Sequence, residues 1–169
     1  DGGEDRWTVP VTTDGQGALF LQVGRNKKSV TLNPMKDEGR EIMNNLIKTA
    51  DIVVANLPPE TRKQMGLDYP ALKAIKSDLI VSTVTCFGSG GPFSDRVGFD
   101  GLAQAMSGAM YMTGPEGQPT RNSTPYVDFC TGSLLSMATL AALRHRDLTG
   151  EGQELEGALL KTAITIANS

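Results

Sequence analysis

Leu79-Ile80-Val81-Ser82-Thr83-Val84-Thr85 is β-branched and apolar nearly throughout, with no wet–dry alternation along it. A strand with one solvated face alternates, whereas one covered on both faces does not, so this run predicts an inner strand of a parallel sheet. Upstream, Tyr69-Pro70 starts a helix toward Lys76, and a short helix over Glu60 to Met65 ends at Gly66. Before that, Asp51-Ile52-Val53-Val54-Ala55-Asn56 reads as a second buried strand, stopped by Pro58-Pro59. Further back, Ser29-Val30-Thr31-Leu32 is a short strand followed by Asn33-Pro34, which opens a helix. Its apolar positions Ile42, Met43, Leu46 and Ile47 fall at helical spacing and predict one buried face.

Downstream comes the glycine-rich loop Gly88-Ser89-Gly90-Gly91-Pro92, then a helix over Gly101 to Met110. A loop ending at Pro125 leads into a long apolar helix that finishes near Asp147. Thr149-Gly150-Glu151-Gly152-Gln153 is a tight turn, and a strand plus helix runs from Glu154 to Ala167. Strands alternating with helices predict an α/β, Rossmann-like domain with a largely parallel sheet and flanking helices. The polar, glycine-rich first twenty-odd residues and the uncapped last helix read as a piece of a longer protein.

The 169 residues carry a net charge of −3, and the pI of about 5.2 argues against a nucleic-acid surface. No apolar run reaches the roughly 18 residues of a membrane span, and Asp1-Gly2-Gly3-Glu4-Asp5 is not a signal peptide. Cys86 and Cys130 lack metal-ligand spacing and suit a reducing, cytoplasmic setting. His145 is the only histidine and sits in Arg144-His145-Arg146-Asp147, at the polar end of a helix. Any triad, Cys-His pair or His-based zinc site would have to use it. Chemistry in this chain therefore falls to carboxylates, amides, hydroxyls, Lys and Arg.

One carboxylate is singled out by position. In Tyr126-Val127-Asp128-Phe129-Cys130-Thr131-Gly132, Asp128 stands at the mouth of the long helix. It reads either as a cap for free backbone N–H groups or as a nucleophile or base. Open α/β sheets bind ligands beyond the carboxyl ends of their strands, which points to Asn56-Leu57-Pro58-Pro59 and to Cys86 through Pro92. The latter matches neither a P-loop nor a dinucleotide fingerprint. The basic cluster Arg25-Asn26-Lys27-Lys28 suits phosphates or a solvated turn. Cys130 reads as a packed thiol on the apolar helix.

Together, and in order, these segments resemble the class III (family III, CaiB/BaiF) CoA-transferases. Arg25 to Asn33 resembles the family's N-R-N-K-R-S-[IV]-x-L-D, and Asp51 to Leu57 its A-D-V-x-V-E-N-F. Met65-Gly66-Leu67 resembles the end of R-[LM]-G-[LF], Gly88 to Pro92 the G-F-G-x-x-G-P, and Gly98-Phe99-Asp100 the G-[FY]-[DE]. Ala103 to Gly108 matches A-Q-A-x-S-G, Asp128 to Gly132 D-x-x-[TS]-G, and Thr149 to Gln153 T-G-x-G-Q. Gly2 to Trp7 is similar to the segment after the family's first strands.

The resemblance implies that residues 1–169 are part of the family's large domain, and that an intertwined homodimer forms at full length. It implies transfer of coenzyme A from an acyl-CoA to a free carboxylic acid, with Asp128 as the nucleophile. Helix-start N–H groups near Asp128 are expected to hold the oxyanions, and Asp100 is either a second acid or the cap of its own helix. Coenzyme A is expected as substrate, with no permanently bound cofactor and no metal. Its contacts map onto Leu32, Asn56, Leu57, Gln64, Met65 and Arg96. Two departures stand out: Gln64 replaces the family's Arg, with Arg62 and Lys63 close by, and Leu57 replaces an aromatic. Rival readings are an α-methylacyl-CoA racemase-like enzyme, whose G-H-D histidine is Phe99 here, and a non-catalytic CoA-binding fragment.

Overall fold

The computed structural model describes residues 3–167. Asp1 and Gly2, with which the likened N-terminal segments begin, lie outside the described residues, as do Asn168 and Ser169. The chain divides into two compact units, residues 1–32 and 33–169. In the first, a 3-10 turn over Glu4–Trp7 and helix α1 (Ala18–Val23) are joined by a stretch with one antiparallel bridge, Val11 to Gly17. Arg6 stacks over the Phe20 ring, 4.0 Å from its centroid. Arg25 Nε donates to the Gln22 carbonyl at 3.0 Å and Lys27 Nζ to that of Val23. Two of the basic side chains thus serve carbonyls that the end of α1 leaves free.

The expected strand over residues 29–32 does not form. The segment pairs with no strand among the described residues, and Val30 is 67 % exposed. β propensity alone does not hold a strand without a hydrogen-bonded neighbour. The helix expected to open at Asn33-Pro34 begins later, as α2 (Asp37–Thr49). Residues 33–36 form a turn in which Asn33 Oδ1 accepts the Met35 N–H at 3.0 Å, the local bond that makes Asn a turn residue.

The second unit is built on three parallel strands in the order β1 (Ile52–Ala55), β2 (Ile80–Thr85), β3 (Glu154–Ala158). Helices α3 (Pro59–Gln64) and α4 (Tyr69–Ile75) connect β1 to β2. Then follow α5 (Asp100–Met106), α6 (Tyr126–Thr149) and, after β3, α7 (Leu159–Ala167). As the unalternating sequence predicts, β2 is the inner strand, pairing Ile80 with Ile52 and Val81 with Glu154. Its two faces feed separate cores. Val81, with Leu79, packs with Ile47, Leu72 and Val53, while Val84 packs with Cys86, Ala103, Val127, Leu159 and Ala163.

Two burial expectations are corrected. On α2, Ile47 is buried and Met43 packs beside it, but Ile42 and Leu46 are each 50 % exposed. On β1, Val54 is 70 % exposed, because β1 is the sheet edge and α6 packs on β2 and β3. Leu79 is fully buried, so Leu79→Ala should destabilise by about 2–5 kcal/mol, through lost apolar transfer and the cavity left behind. A urea titration followed by circular dichroism reads this.

Helix α6 positions the site. Among the described residues it is the one helix whose length and composition suit a membrane crossing, and one side of it packs on β2 and β3. Val127, Thr131, Leu135 and Ala142 are its buried stripe, at helical spacing. The Ser82 and Thr139 hydroxyls share a 2.8 Å hydrogen bond, and a Cβ on Gly157 would stand 3.1 Å from the Thr131 methyl. At its far end Arg146 bridges to Asp51 at 3.1 Å. Gly150, left-handed at φ 77°, returns its N–H to the Arg146 carbonyl and ends the helix.

Candidate active site

A helix leaves its first N–H groups without partners, and at α6 the N-cap is Pro125, whose side chain offers no acceptor. Asp100 takes that role from outside. Its carboxylate is buried, 2 % exposed, and Oδ2 accepts the Val127 N–H at 2.8 Å and the Asp128 N–H at 3.1 Å. The expectation that Asp100 caps its own helix is corrected: α5 has no side-chain cap bond at Phe99, and the Asp100 carboxylate serves α6. Oδ1 accepts Nε2 of Gln104, one turn further along α5.

Asp128 is the third residue of α6, and no hydrogen bond reaches its carboxylate among the described residues. The residue as a whole is open to solvent, but surrounding protein strips part of the carboxyl's hydration. Burial raises its pKa most, the charge of Asp100 raises it further, and the Arg121 guanidinium opposes both. The reading of Asp128 as a simple cap therefore does not describe its side chain. Cys86 lies within its field: burial raises the thiol's pKa first, and the Asp128 charge adds to it. Since Cys86 directly follows β2, Asp128 stands by the carboxyl edge of that strand, where open α/β sheets bind ligands.

The helix-start amides are not free to hold an oxyanion. Those of Val127 and Asp128 belong to Asp100, Tyr126 N–H donates to the Thr124 carbonyl at 2.8 Å, and Phe129 N–H to that of Pro125 at 3.3 Å. That expectation is withdrawn. The glycine loop after β2 is likewise engaged with its own surroundings: Gly88 N–H bonds Thr85 Oγ1, Gly91 N–H bonds Ser94 Oγ, and Ser89 Oγ donates to Glu156.

The residues assigned to coenzyme A are spread along the chain. Leu32 ends the first unit. Asn56, exposed, and Leu57, half-buried, follow β1, while exposed Gln64 and half-buried Met65 end α3. Arg96 is exposed with its guanidinium over the Phe93 ring, 4.6 Å from the centroid. Of the two cations close to Gln64 in the sequence, Arg62 is buried and faces Glu154 at 3.8 Å, and Lys63 is exposed.

Three residues escaped the sequence reading. Arg40 donates to the Gln64 carbonyl at 2.8 Å, the charge of Arg121 lowers the Asp128 pKa, and Gln104, 1 % exposed, joins Asp100 to the loop before α6. Only Gln104 carried a local signal, as the fourth residue after an Asp on one helix. His145 is as read: it lies 3.8 Å from Glu151, at the solvated end of α6.

The profile of CoA-transferase family III matches residues 1–169. An acyl-CoA transferase of Fusarium pseudograminearum is 38 % identical over 87 % of this chain and 32 % of its own length. The succinyl-CoA–L-malate CoA-transferase beta subunit of Chloroflexus aurantiacus is 39 % identical over 90 % of this chain and 38 % of its own. The chain thus spans between a third and two-fifths of these relatives. A crystal structure of a CAIB/BAIF family protein from Brucella suis superposes with a TM-score of 0.90 at 35 % identity, covering 98 % of this chain and 45 % of that one. Agreement over the full span, in sequence and in fold, places the Asp128 helix and the sheet beneath it in one lineage: the chain belongs to CoA-transferase family III.

Proposed function

We propose that this chain carries the nucleophile of an enzyme that moves coenzyme A from an acyl-CoA to a free carboxylic acid. One observation supports this most: a carboxylate with no hydrogen-bond partner among the described residues, partly desolvated and raised in pKa, on a helix start that a second, buried carboxylate holds in place. Stripping water from a carboxylate and fixing its position makes a poor nucleophile reactive.

The steps follow from that group. An Asp128 oxygen attacks the thioester carbonyl, forming a mixed anhydride and expelling the CoA thiolate. The thiolate attacks the aspartyl carbonyl, giving an aspartyl-CoA thioester and releasing the donor acid. The acceptor carboxylate attacks that thioester, again expelling thiolate, which then takes the acceptor acyl group and frees Asp128. The relative that acts on succinyl-CoA and L-malate supports small dicarboxylic acids as the substrates to try first. Coenzyme A would enter over Asn56, Leu57, Gln64, Met65 and Arg96. At full length we expect an intertwined homodimer, which the exposed apolar side chains Leu134, Met137 and Leu140 on α6 suit. The free thiols Cys86 and Cys130 fit a cytoplasmic protein.

The racemase reading needs a second base beside Asp128. Phe99 fills the expected histidine position and is 75 % exposed. His145 stands seventeen residues along α6 from Asp128, about 26 Å at the helical rise, too far for a shared proton relay. The test is mass spectrometry of the complete reading frame mixed with succinyl-CoA and hydroxylamine. A hydroxamate on Asp128 is expected. Its absence in a folded protein that binds CoA sinks the covalent route and leaves a binding role.

Arg121 yields a pH prediction. Asp128 must be ionised to attack, and Arg121 lowers its pKa. Arg121→Gln should therefore move the acid limb of the kcat/KM profile to higher pH. A limb that stays put, measured at acyl-CoA concentrations well below KM, shows that Arg121 does not act on Asp128.

A further inference from the structure

Three backbone segments are joined around the buried Asp100 carboxylate: α5, the loop before α6 and the first turn of α6 itself. One side chain ties them. Gln104 is 1 % exposed; its Nε2 donates to Asp100 Oδ1, and its Oε1 accepts the Asn122 N–H at 2.9 Å. The amide orientation is settled by its partners. A carboxylate only accepts and a backbone N–H only donates, so the flipped amide would lose both bonds. Asp100 in turn spends its other oxygen on two α6 amides.

Each polar atom in this chain of bonds has a partner, and Asp100, Gln104 and Val127 are buried, while Asn122 and Asp128 stand at its exposed ends. Satisfied networks of this kind hold one geometry, since any other leaves a desolvated polar group unpaired. Asn122 is the neighbour of Arg121, so the same bond anchors the loop that carries the charge opposing the raised Asp128 pKa.

We infer that Gln104 is a positioning residue for the transfer reaction: through its two amide bonds it fixes Asp100, and with it the first turn of α6 that presents Asp128. The inference rests on the covalent role proposed for Asp128. Gln104 contacts neither substrate nor nucleophile directly. Its loss therefore acts on turnover, while the CoA-contact residues on the β1–α3 segment and Arg96 stay as they were.

Two near-isosteric variants of the complete reading frame separate its two bonds. Gln104→Met removes both. Gln104→Glu keeps an acceptor for Asn122 N–H, and when ionised has no proton to donate to Asp100. Titratable neighbours of this network are Asp100 on α5, Arg121 on the loop, Tyr126, Asp128 and Cys130 on α6, and Cys86 after β2. Both variants should lose about tenfold or more in kcat, with KM for acyl-CoA within about twofold of wild type. Protonation of the carboxylate introduced by Gln104→Glu restores a donor toward Asp100, so the ratio of this variant's kcat to that of wild type should rise as pH falls. No purely space-filling role produces that rise.

Wild-type kcat in either folded variant, or a flat ratio for Gln104→Glu, overturns the inference. Should neither variant fold, hydrogen exchange on the wild type decides. The Val127 and Asp128 amides should exchange as slowly as the middle of α6, and fast exchange there sinks it. A wild type that transfers no CoA and forms no Asp128 adduct refutes the proposed function itself, a result distinct from any of these.

Discussion

Asp128→Asn should fold, bind acyl-CoA and transfer nothing: kcat falls by about 10³-fold or more, and no hydroxamate forms at position 128. The amide keeps the shape of the side chain but lacks the nucleophilic oxygen anion. Because no hydrogen bond in the fold depends on the Asp128 carboxylate among the described residues, the substitution leaves no buried donor stranded. Its effect on stability has the opposite sign. Burial and the charge of Asp100 raise the folded-state pKa above the ordinary 3.8, so the folded protein holds that proton more tightly than the unfolded chain. Stability from this group is complete below pH 3.8 and is lost as pH rises through the elevated folded value. At neutral pH the wild type therefore carries an ionised group in an unfavourable place, and the variant does not. Its melting temperature should exceed that of wild type at pH 7, by a small margin because the residue is largely solvent-exposed, and the gap should close toward pH 3. A melting temperature that falls at pH 7 would show that Asp128 stabilises the fold, against the reading of a desolvated nucleophile. Activity retained by the variant removes Asp128 from the mechanism.

Asp100→Leu is the second large effect, and it falls on the fold. It strands the Val127 and Asp128 amides and the Gln104 Nε2, all of which now donate to one buried carboxylate. Leaving buried partners of a charged group unsatisfied costs about 3–5 kcal/mol, enough to threaten a domain of ordinary stability. Asp100→Asn keeps the size and one oxygen, so about 1–2 kcal/mol is expected. It also removes the negative charge that raises the Asp128 pKa, so the acid limb of kcat/KM should move to lower pH, opposite to Arg121→Gln. Denaturant titration reads the first pair of numbers and the pH profile the second. An Asp100→Leu protein as stable as wild type would mean that water replaces the carboxylate at the start of α6.

Much of the fold was legible because its signals are local. The unbroken apolar run at Leu79 to Thr85 announced a strand covered on both faces, and β2 is that strand. Proline and glycine marked the limits of α3 and α4, and Gly66, at φ 66°, stands just past the end of α3. Local signals failed where a neighbour decides. Residues 29–32 have strand composition without a strand to pair with, and Val54 is exposed because α6 lies over β2 and β3. At the site, Asp128 was legible from its place at a helix mouth and from the family resemblance. The partnership of Asp100 with amides 27 residues later was not, since no short-range pattern encodes which side chain fills a distant helix start.

By itself, then, the amino-acid sequence determined the order of strands and helices from β1 onward, the parallel α/β class and the candidate nucleophile. These follow from periodicity, turn residues and motif order, each readable within a few residues. Only the tertiary structure decided what surrounds the nucleophile. It assigned the free amides of α6 to Asp100, turned Gln104 into the link between helix and loop, brought the charge of Arg121 within reach of Asp128, and committed Arg62 to Glu154. The physical reason is that hydrogen bonds and desolvation are properties of atoms brought together by packing. The residues that supply them are set by which helices meet over the sheet, and not by their distance along the chain.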